Sequence, residues 1–361
     1  MMFPDIIKRR EGAGVVVSDE LLEDLEHGRG LTEAAISDRT RAAYEYEFGR
    51  FAQWAERHKL ASLPTTPVIA ATYLAHLSKR GALPATLAIV RAAIKHHHAT
   101  LPPRVKGRNL DLATPEIKRL FQGARRKARE AGRTTNKAAP WLIADFNVLA
   151  SSVAGSHDLE DLRDLALIGL GIVRALRGPS ELLALDLGEV KSEGARGALV
   201  LKRAGAAIIL KVSKTKQTGD GEELPIEEGP ALQTVRAWVQ AAGIKAGTPL
   251  WRTIRKGHLQ PERMHQRTLH NIIQRRAEQM LRARRDEHGK PVMTAAEASI
   301  AARAYSTHSL RRGALTSMGK GGATLADLID LGRHSQKSSS IVLGYIEPGH
   351  AGAKAMRKLG L

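Results

Sequence analysis

His308-Ser309-Leu310-Arg311, then a helix-like run, then Gly332-Arg333-His334, then a serine-rich segment closing on Gly344-Tyr345-Ile346: this stretch decides how the chain is read. It holds the groups needed to break a phosphodiester without a metal. A tyrosine can attack phosphorus and carry it covalently, a histidine can move protons, and an arginine can clamp non-bridging oxygens as charge builds on them. His308 and Arg311, spaced i, i+3 at a helix start, share one face, so both can address the same phosphate. Arg312 is turned about 100° away from that face. Tyr345 is the only tyrosine after Tyr305, which narrows the choice of nucleophile at this end.

Composition points the same way. A chain of 361 residues with 43% hydrophobic content can bury a sizeable core, and its length suggests two domains. The formal charge is +19, unevenly placed: residues 1–36 carry −4 and the rest of the chain +23. A basic body of this kind calls for a polyanionic partner. Aromatic residues make up only 4%, little material for stacking single-stranded bases, so duplex DNA gripped through its phosphates is the expected partner. The absence of cysteine excludes disulfides, thiolate catalysis and Cys-ligated zinc. No apolar run approaches the ~18 residues of a membrane span, and the basic cluster of the first residues follows rather than precedes the apolar patch, the reverse of a signal peptide. The expected location is the cytoplasm, at the nucleoid.

The chain then reads in order. Residues 1–36 form an acidic arm, expected to be flexible. Ser37 caps a helix with Tyr44, Phe48, Phe51, Ala52 and Ala55 on one face, and Pro67 starts a second. A third begins at Thr86 and runs to Pro102-Pro103. A fourth spans Thr114 to Ala131, burying Ile117, Leu120 and Phe121 and presenting Arg125, Arg126 and Lys127, a face that would suit either solvent or DNA. These helices make a bundle over 37–131. Residues 132–140, polar and ending in Pro140, read as a linker. Beyond it, helices are expected at 145–152, 158–173, 229–243, 268–284 and 295–303, around a small antiparallel sheet from the runs 198–202, 207–212 and 223–226. The fold class is therefore mainly α with a small antiparallel β-sheet in the C-terminal domain. His96, His97 and His98 occupy consecutive helix positions about 100° apart, so they cannot face one ion. No metal and no cofactor is expected.

In order and spacing, the chemical groups resemble those of the tyrosine recombinase (phage integrase) family over roughly residues 37–350, including the opening Ser37, Thr40 and Tyr44 of the bundle. The resemblance implies a helical core-binding domain at 37–131, a catalytic domain at 141–346, and a tail at 347–361 that docks on a neighbouring subunit. It places the catalytic set at Arg177, Lys214, His308, Arg311, His334 and Tyr345. Two departures from the family pattern leave alternatives. Gly178-Pro179 puts an extra residue before Ser180-Glu181-Leu182, with Arg174 as the fallback for Arg177. His334 lies two residues farther from Tyr345 than is usual, and Gln336 sits at the usual spacing. Candidate DNA contacts are Thr40, Arg41, Arg91, Lys95, Arg125, Arg126, Lys127 and Arg312. The implied activity is site-specific recombination of double-stranded DNA at inverted repeats by a homo-oligomer, a tetramer on DNA. The alternatives are a DNA-binding protein of recombinase ancestry with impaired catalysis, and a related type IB topoisomerase or telomere resolvase.

Overall fold

The computed structural model describes residues 23, 24, 26–28, 30, 31, 36–102, 104–106, 108–133, 137–211, 221–334 and 342. The arm expected at 1–36 and the tail at 347–361 lie almost wholly outside the described residues, and Lys214, Gln336 and Tyr345 lie outside them altogether. The chain divides into two compact units between Thr135 and Asn136. No described helix is long and apolar enough to cross a membrane.

The N-terminal unit is built from α1 (Asp38–Arg57), α2 (Pro67–Lys79), α3 (Pro84–Ala99) and α4 (Pro115–Glu130). Side-chain oxygens of Ser37, Thr66 and Thr114 accept from backbone N–H groups in the first turns of α1, α2 and α4, satisfying donors that have no partner within the helix. The third helix starts at Pro84, two residues before Thr86, because proline at the first helical position lacks only an N–H the helix would not use. The bundle closes over Phe51, Trp54, Tyr73, Leu74, Leu87, Val90, Ile94, Ile117 and Phe121. The three histidines at the end of α3 go to three different places. His96 lies against Tyr44, His97 stacks on Phe48 with ring centroids 4.0 Å apart, and buried His98 accepts from the Thr65 N–H at 3.1 Å.

The C-terminal unit holds α5 (Ile143–Ser152), α6 (Leu159–Val173), α7 (Pro230–Ala241), α8 (Gln266–Ala283), α9 (Ala295–Ala302), α10 (Thr307–Lys320) and α11 (Leu325–Gly332). Most of α6 is buried, as its nearly continuous apolar sequence requires. The helix-like run after His308 is two helices, α10 and α11, broken at Gly321-Gly322. A side chain at Gly313, inside α10, would collide with the backbone of Trp141, whose N–H donates to the Ser309 carbonyl at 3.0 Å. That close approach pins α10 against the start of the unit.

The sheet runs β1 (Leu185–Leu187), β2 (Gly197–Leu201), β3 (Ala206–Leu210), β4 (Glu222–Ile226). It is mixed rather than wholly antiparallel, since β1 pairs parallel with β2. Asp186 explains the short return. Its carboxylate accepts from the N–H groups of Lys191 and Ser192, from the Ser192 hydroxyl at 2.6 Å and from Arg263 at 2.6 Å, gathering the connection so that β2 re-enters in the direction of β1. A second ribbon, β5 (Arg252–Arg255) and β6 (His258–Arg263), was absent from the sequence reading. Its turn, Lys256-Gly257, has positive φ at both residues, the geometry that suits a two-residue hairpin. Its strands carry mostly charged and polar residues, so the alternation that marks a strand is weak.

Candidate active site

Two helices end in the same way, and between them the site is assembled. After α6 the chain turns through Ala175 with φ +46°, and the Leu176 N–H reaches back to the Gly171 carbonyl at 3.1 Å. After α11 it turns through Arg333 with φ +47°, and the His334 N–H reaches back to the Ile329 carbonyl at 3.0 Å. These are left-handed C-caps of the kind glycine usually occupies, at a cost of roughly 1–2 kcal/mol for a residue with a side chain. The first launches Arg177; the second launches His334.

Arg311 joins the two turns. It is 3% exposed, its Nη1 donates to the Ala175 carbonyl at 2.8 Å, and its Nη2 donates to the Gly332 carbonyl. A guanidinium laid across two helix C-termini sits where their dipoles favour positive charge, which offsets part of its desolvation. Arg311 Nη2 also lies 3.3 Å from His334 Nε2. Since guanidinium can only donate, that nitrogen accepts, and the imidazole proton belongs on Nδ1. Burial, then Arg311, Arg177, His308 and Arg333, push the His334 pKa down to about 4, so the ring is neutral at neutral pH.

His308 stands in the first turn of α10, whose cap, Ser306, accepts from the His308 N–H, while the Ser306 N–H donates to the Ser309 hydroxyl. Its ring reaches solvent. Partial desolvation, followed by Arg311, Arg312 and Arg177, lowers its pKa, which also favours a neutral imidazole. Arg177 therefore stands within electrostatic reach of both histidines.

The extra residue before Ser180-Glu181-Leu182 is taken up locally. The segment Gly178–Leu182 is a five-residue π turn, in which the N–H groups of Leu182 and Leu183 reach back five residues to the carbonyls of Arg177 and Gly178 at 3.0 Å. A wide turn is how a helix absorbs one inserted residue without displacing its neighbours. Gly178 is needed there, because a Cβ would come within 2.7 Å of Thr307 at the start of α10. Arg177 keeps a partly exposed position and is held by Glu181, whose Oε1 accepts from Nη1 at 2.5 Å and whose Oε2 accepts from the Arg177 N–H at 2.9 Å. Arg174, the fallback, belongs to a different group: it lies beside Arg333, Asp330 and Glu222, with its Nε buried and unbonded among the described residues.

The structure thus brings Arg177, His308, Arg311 and His334 together. It also supplies two residues that sequence reasoning passed over, Glu181 and Arg333, both buried and joined at 2.5 Å. Each stands inside a motif read from the sequence, but nothing in a linear pattern shows that residues 152 positions apart form a buried pair. Val342, three residues before Tyr345, is fully buried with Leu315 and Leu328 on the backs of α10 and α11. Arg312 donates to the Ala138 carbonyl at 2.7 Å and so serves the start of this unit. In the N-terminal unit, Thr40 bonds the Ser37 hydroxyl, Arg41 is half-buried, Arg91 lies over the Phe121 ring, and Lys95, Arg125, Arg126 and Lys127 are exposed.

Two guanidinium groups, Arg177 and Arg311, thus stand within electrostatic reach of two imidazoles that are shifted toward their neutral form. Such an arrangement is suited to a phosphate, with donors for the oxygens and neutral bases for proton transfer. The chain is 26% identical over 324 residues to an integrase/recombinase xerD homolog from Selenomonas ruminantium, spanning 88% of this chain and 84% of that one. Its fold matches that of XerH site-specific recombinase bound to a palindromic difH substrate, with a TM-score of 0.53 over 81% of this chain and 72% of that chain at 15% identity. It also matches the Tn1549 transposon integrase in complex with transposon right end DNA, with a TM-score of 0.52 over 93% and 98% of the two chains at 14% identity. No protein-family model matches the chain. In sequence the chain is similar to an integrase/recombinase, and in fold it is similar to a site-specific recombinase and a transposon integrase.

Proposed function

We propose that the protein is a site-specific DNA recombinase that cleaves and rejoins strands through a 3′-phosphotyrosyl intermediate on Tyr345. The observation that carries this reading is the grouping of Arg177, His308 and His334 about Arg311, a buried guanidinium that ties together the two turns from which Arg177 and His334 are launched. In the first step the Tyr345 hydroxyl oxygen attacks phosphorus, the bond from phosphorus to the 5′ oxygen breaks, and the tyrosyl ester forms on the 3′ side. His308, held neutral, takes the phenolic proton; Lys214 supplies a proton to the leaving 5′ oxygen. Arg177 and Arg311 stabilise the charge on the five-coordinate phosphorus, and His334 donates from its imidazole N–H. The 5′ hydroxyl of a partner strand reverses the step. The ester keeps the energy of the broken bond, so the chemistry runs without ATP.

The exposed cations of α4, with Thr40, Arg41, Arg91 and Lys95, are assigned to the DNA backbone, and a tetramer on paired inverted repeats is the working assembly at the nucleoid. The deciding experiment uses a nicked duplex carrying inverted repeats from the DNA flanking the gene. The wild-type chain should trap a covalent protein–DNA adduct visible on a denaturing gel, and Tyr345→Phe should trap none. An adduct that persists in Tyr345→Phe, or its absence with the wild-type chain, overturns the mechanism.

A further inference from the structure

Arg333 has no place in the chemistry described above, yet it is among the most constrained side chains in the site. It is 9% exposed, its backbone is left-handed, and its Nη2 donates to Glu181 Oε2 at 2.5 Å. Its Nη1 stands 3.7 Å from Glu222 Oε2, at the first residue of β4, too far for a hydrogen bond. Placing an ionised guanidinium there requires desolvating it and adopting a backbone that most residues avoid, so a role beyond filling space is indicated.

That role follows from how Glu181 is shared. Its two oxygens are divided: Oε1 takes the Arg177 side chain, and Oε2 takes both the Arg177 N–H and Arg333. With Arg177 as its only cation, a carboxylate 98% buried would form a closed pair and cancel the charge that a phosphate needs to meet. With Arg333 on the other oxygen, the carboxylate is shared between two guanidinium groups, and Glu222, 3.7 Å from Arg333 Nη1, is a further counter-charge to Arg333. Among the described residues no bond is made by Arg177 Nε or Nη2, which remain available as donors. Burial alone would push the Glu181 carboxyl up, but Arg333 and Arg177 more than offset it and hold it below the usual carboxylate range, so the negative charge being shared is present at neutral pH.

We propose that Arg333 is a positioning residue: by taking one oxygen of Glu181 it keeps Arg177 oriented but incompletely neutralised, so that Arg177 can bind the phosphate at the cleavage site. This rests on the recombinase reading, and the test separates the two. The full chain is compared with Arg333→Gln, Arg333→Lys, Glu181→Gln and the double variant Glu181→Gln/Arg333→Gln. Two measurements are made on each: the single-turnover rate of adduct formation on the nicked duplex, and the affinity for orthovanadate, a mimic of five-coordinate phosphate, by calorimetry.

Arg333→Gln should slow adduct formation by tenfold or more and weaken vanadate binding by a similar factor, with DNA affinity changed by less than threefold. Arg333→Lys, which keeps the charge, should recover most of the loss. Once Glu181 is neutral there is no carboxylate left to share, so adding Arg333→Gln to Glu181→Gln should change neither rate nor vanadate affinity. That last comparison stands even where Arg333→Gln alone fails to fold, because the double variant leaves neither partner charged. A further tenfold loss on adding Arg333→Gln to Glu181→Gln overturns the proposal. So does a vanadate affinity that follows none of the substitutions, since a mere brace would shift the melting temperature and leave the folded site unchanged. Should the wild-type chain trap no adduct, the recombinase reading falls while the vanadate series still decides the role of Arg333.

Discussion

The two units treat charge in opposite ways. Among the described residues, the N-terminal unit buries no ionised pair; its buried polar residues are Thr65 and His98, bonded to one another, and its arginines lie at or near the surface. The C-terminal unit buries Arg163, Asp164, Glu181, Asp186, Arg276, Arg311 and Arg333, all in hydrogen-bonded groups. An exposed cation is mobile, screened by salt and dispensable to folding, which suits a surface that grips a polyanion at many points. A buried cation costs desolvation energy and needs fixed partners, but it is already in place when a reaction begins and has nothing to reorganise. One unit keeps its charge at the surface; the other fixes it inside.

The contrast breaks most visibly at Asp164. Fully buried on α6, it accepts from Arg163 at 2.8 Å, Arg275 at 2.6 Å and Arg276 at 2.8 Å, tying α6 to α8. Asp164→Asn would leave these guanidinium groups, two of them buried, without their shared counter-ion. We expect a loss of about 3–5 kcal/mol in urea unfolding. A loss below ~1 kcal/mol, the scale of a surface pair, would mean that water reaches the network and that the C-terminal unit differs from its neighbour in appearance only.

How far this was legible in the sequence follows the same division. Helices such as α1, α4 and α6 are written locally, in caps and apolar spacing, and Ser37, Thr114 and Asp158 cap them where the pattern places the starts. His308 and Arg311 were legible as a pair from their helix spacing, but their grouping with Arg177 and His334 was legible only through resemblance, because each is an ordinary polar residue until the chain brings it to the others. The π turn at Gly178 was unreadable for a different reason: an inserted residue shows in sequence, but whether it shifts the register or is absorbed depends on Thr307, far along the chain. Glu181 and Arg333 escaped notice because a buried ion pair has no sequence period. The β5–β6 ribbon escaped because its strands are half-exposed and charged, leaving only Lys256-Gly257 as a signal.

A smaller effect is expected on the other side of the comparison. Arg125, Arg126 and Lys127 on α4 are exposed, and among the described residues Arg126 pairs with Glu130 at 3.5 Å. Replacing all three with Gln should move stability by no more than ~0.5 kcal/mol per site. DNA binding should weaken uniformly across sequences, and the slope of log affinity against log salt should fall by about one for each phosphate that is no longer neutralised. An unchanged slope would remove α4 from the proposed DNA-binding surface, and a large stability loss would show that these charges brace the fold after all.

The remaining prediction concerns His334, where the fixed charges of the C-terminal unit act on a group that can titrate. Desolvation and then Arg311, Arg177, His308 and Arg333 lower its pKa from 6.5 to about 4. Between those values the unfolded chain takes up a proton that the folded chain refuses. Stability from this group is therefore complete above its ordinary value and declines as pH falls toward the folded one. His308 is shifted in the same direction and adds to the slope. Urea midpoints at about pH 7 and about pH 5 should fall with acidification, and His334→Asn should flatten the fall without abolishing it, since His308 remains. An equal fall in the variant would place the imidazole in solvent, away from Arg311. Bound phosphate should act the other way, because an oxyanion among the arginines offsets their field. The same titration repeated with orthovanadate should then show a shallower fall for the wild-type chain, and a smaller change in His334→Asn, where only His308 is left to respond.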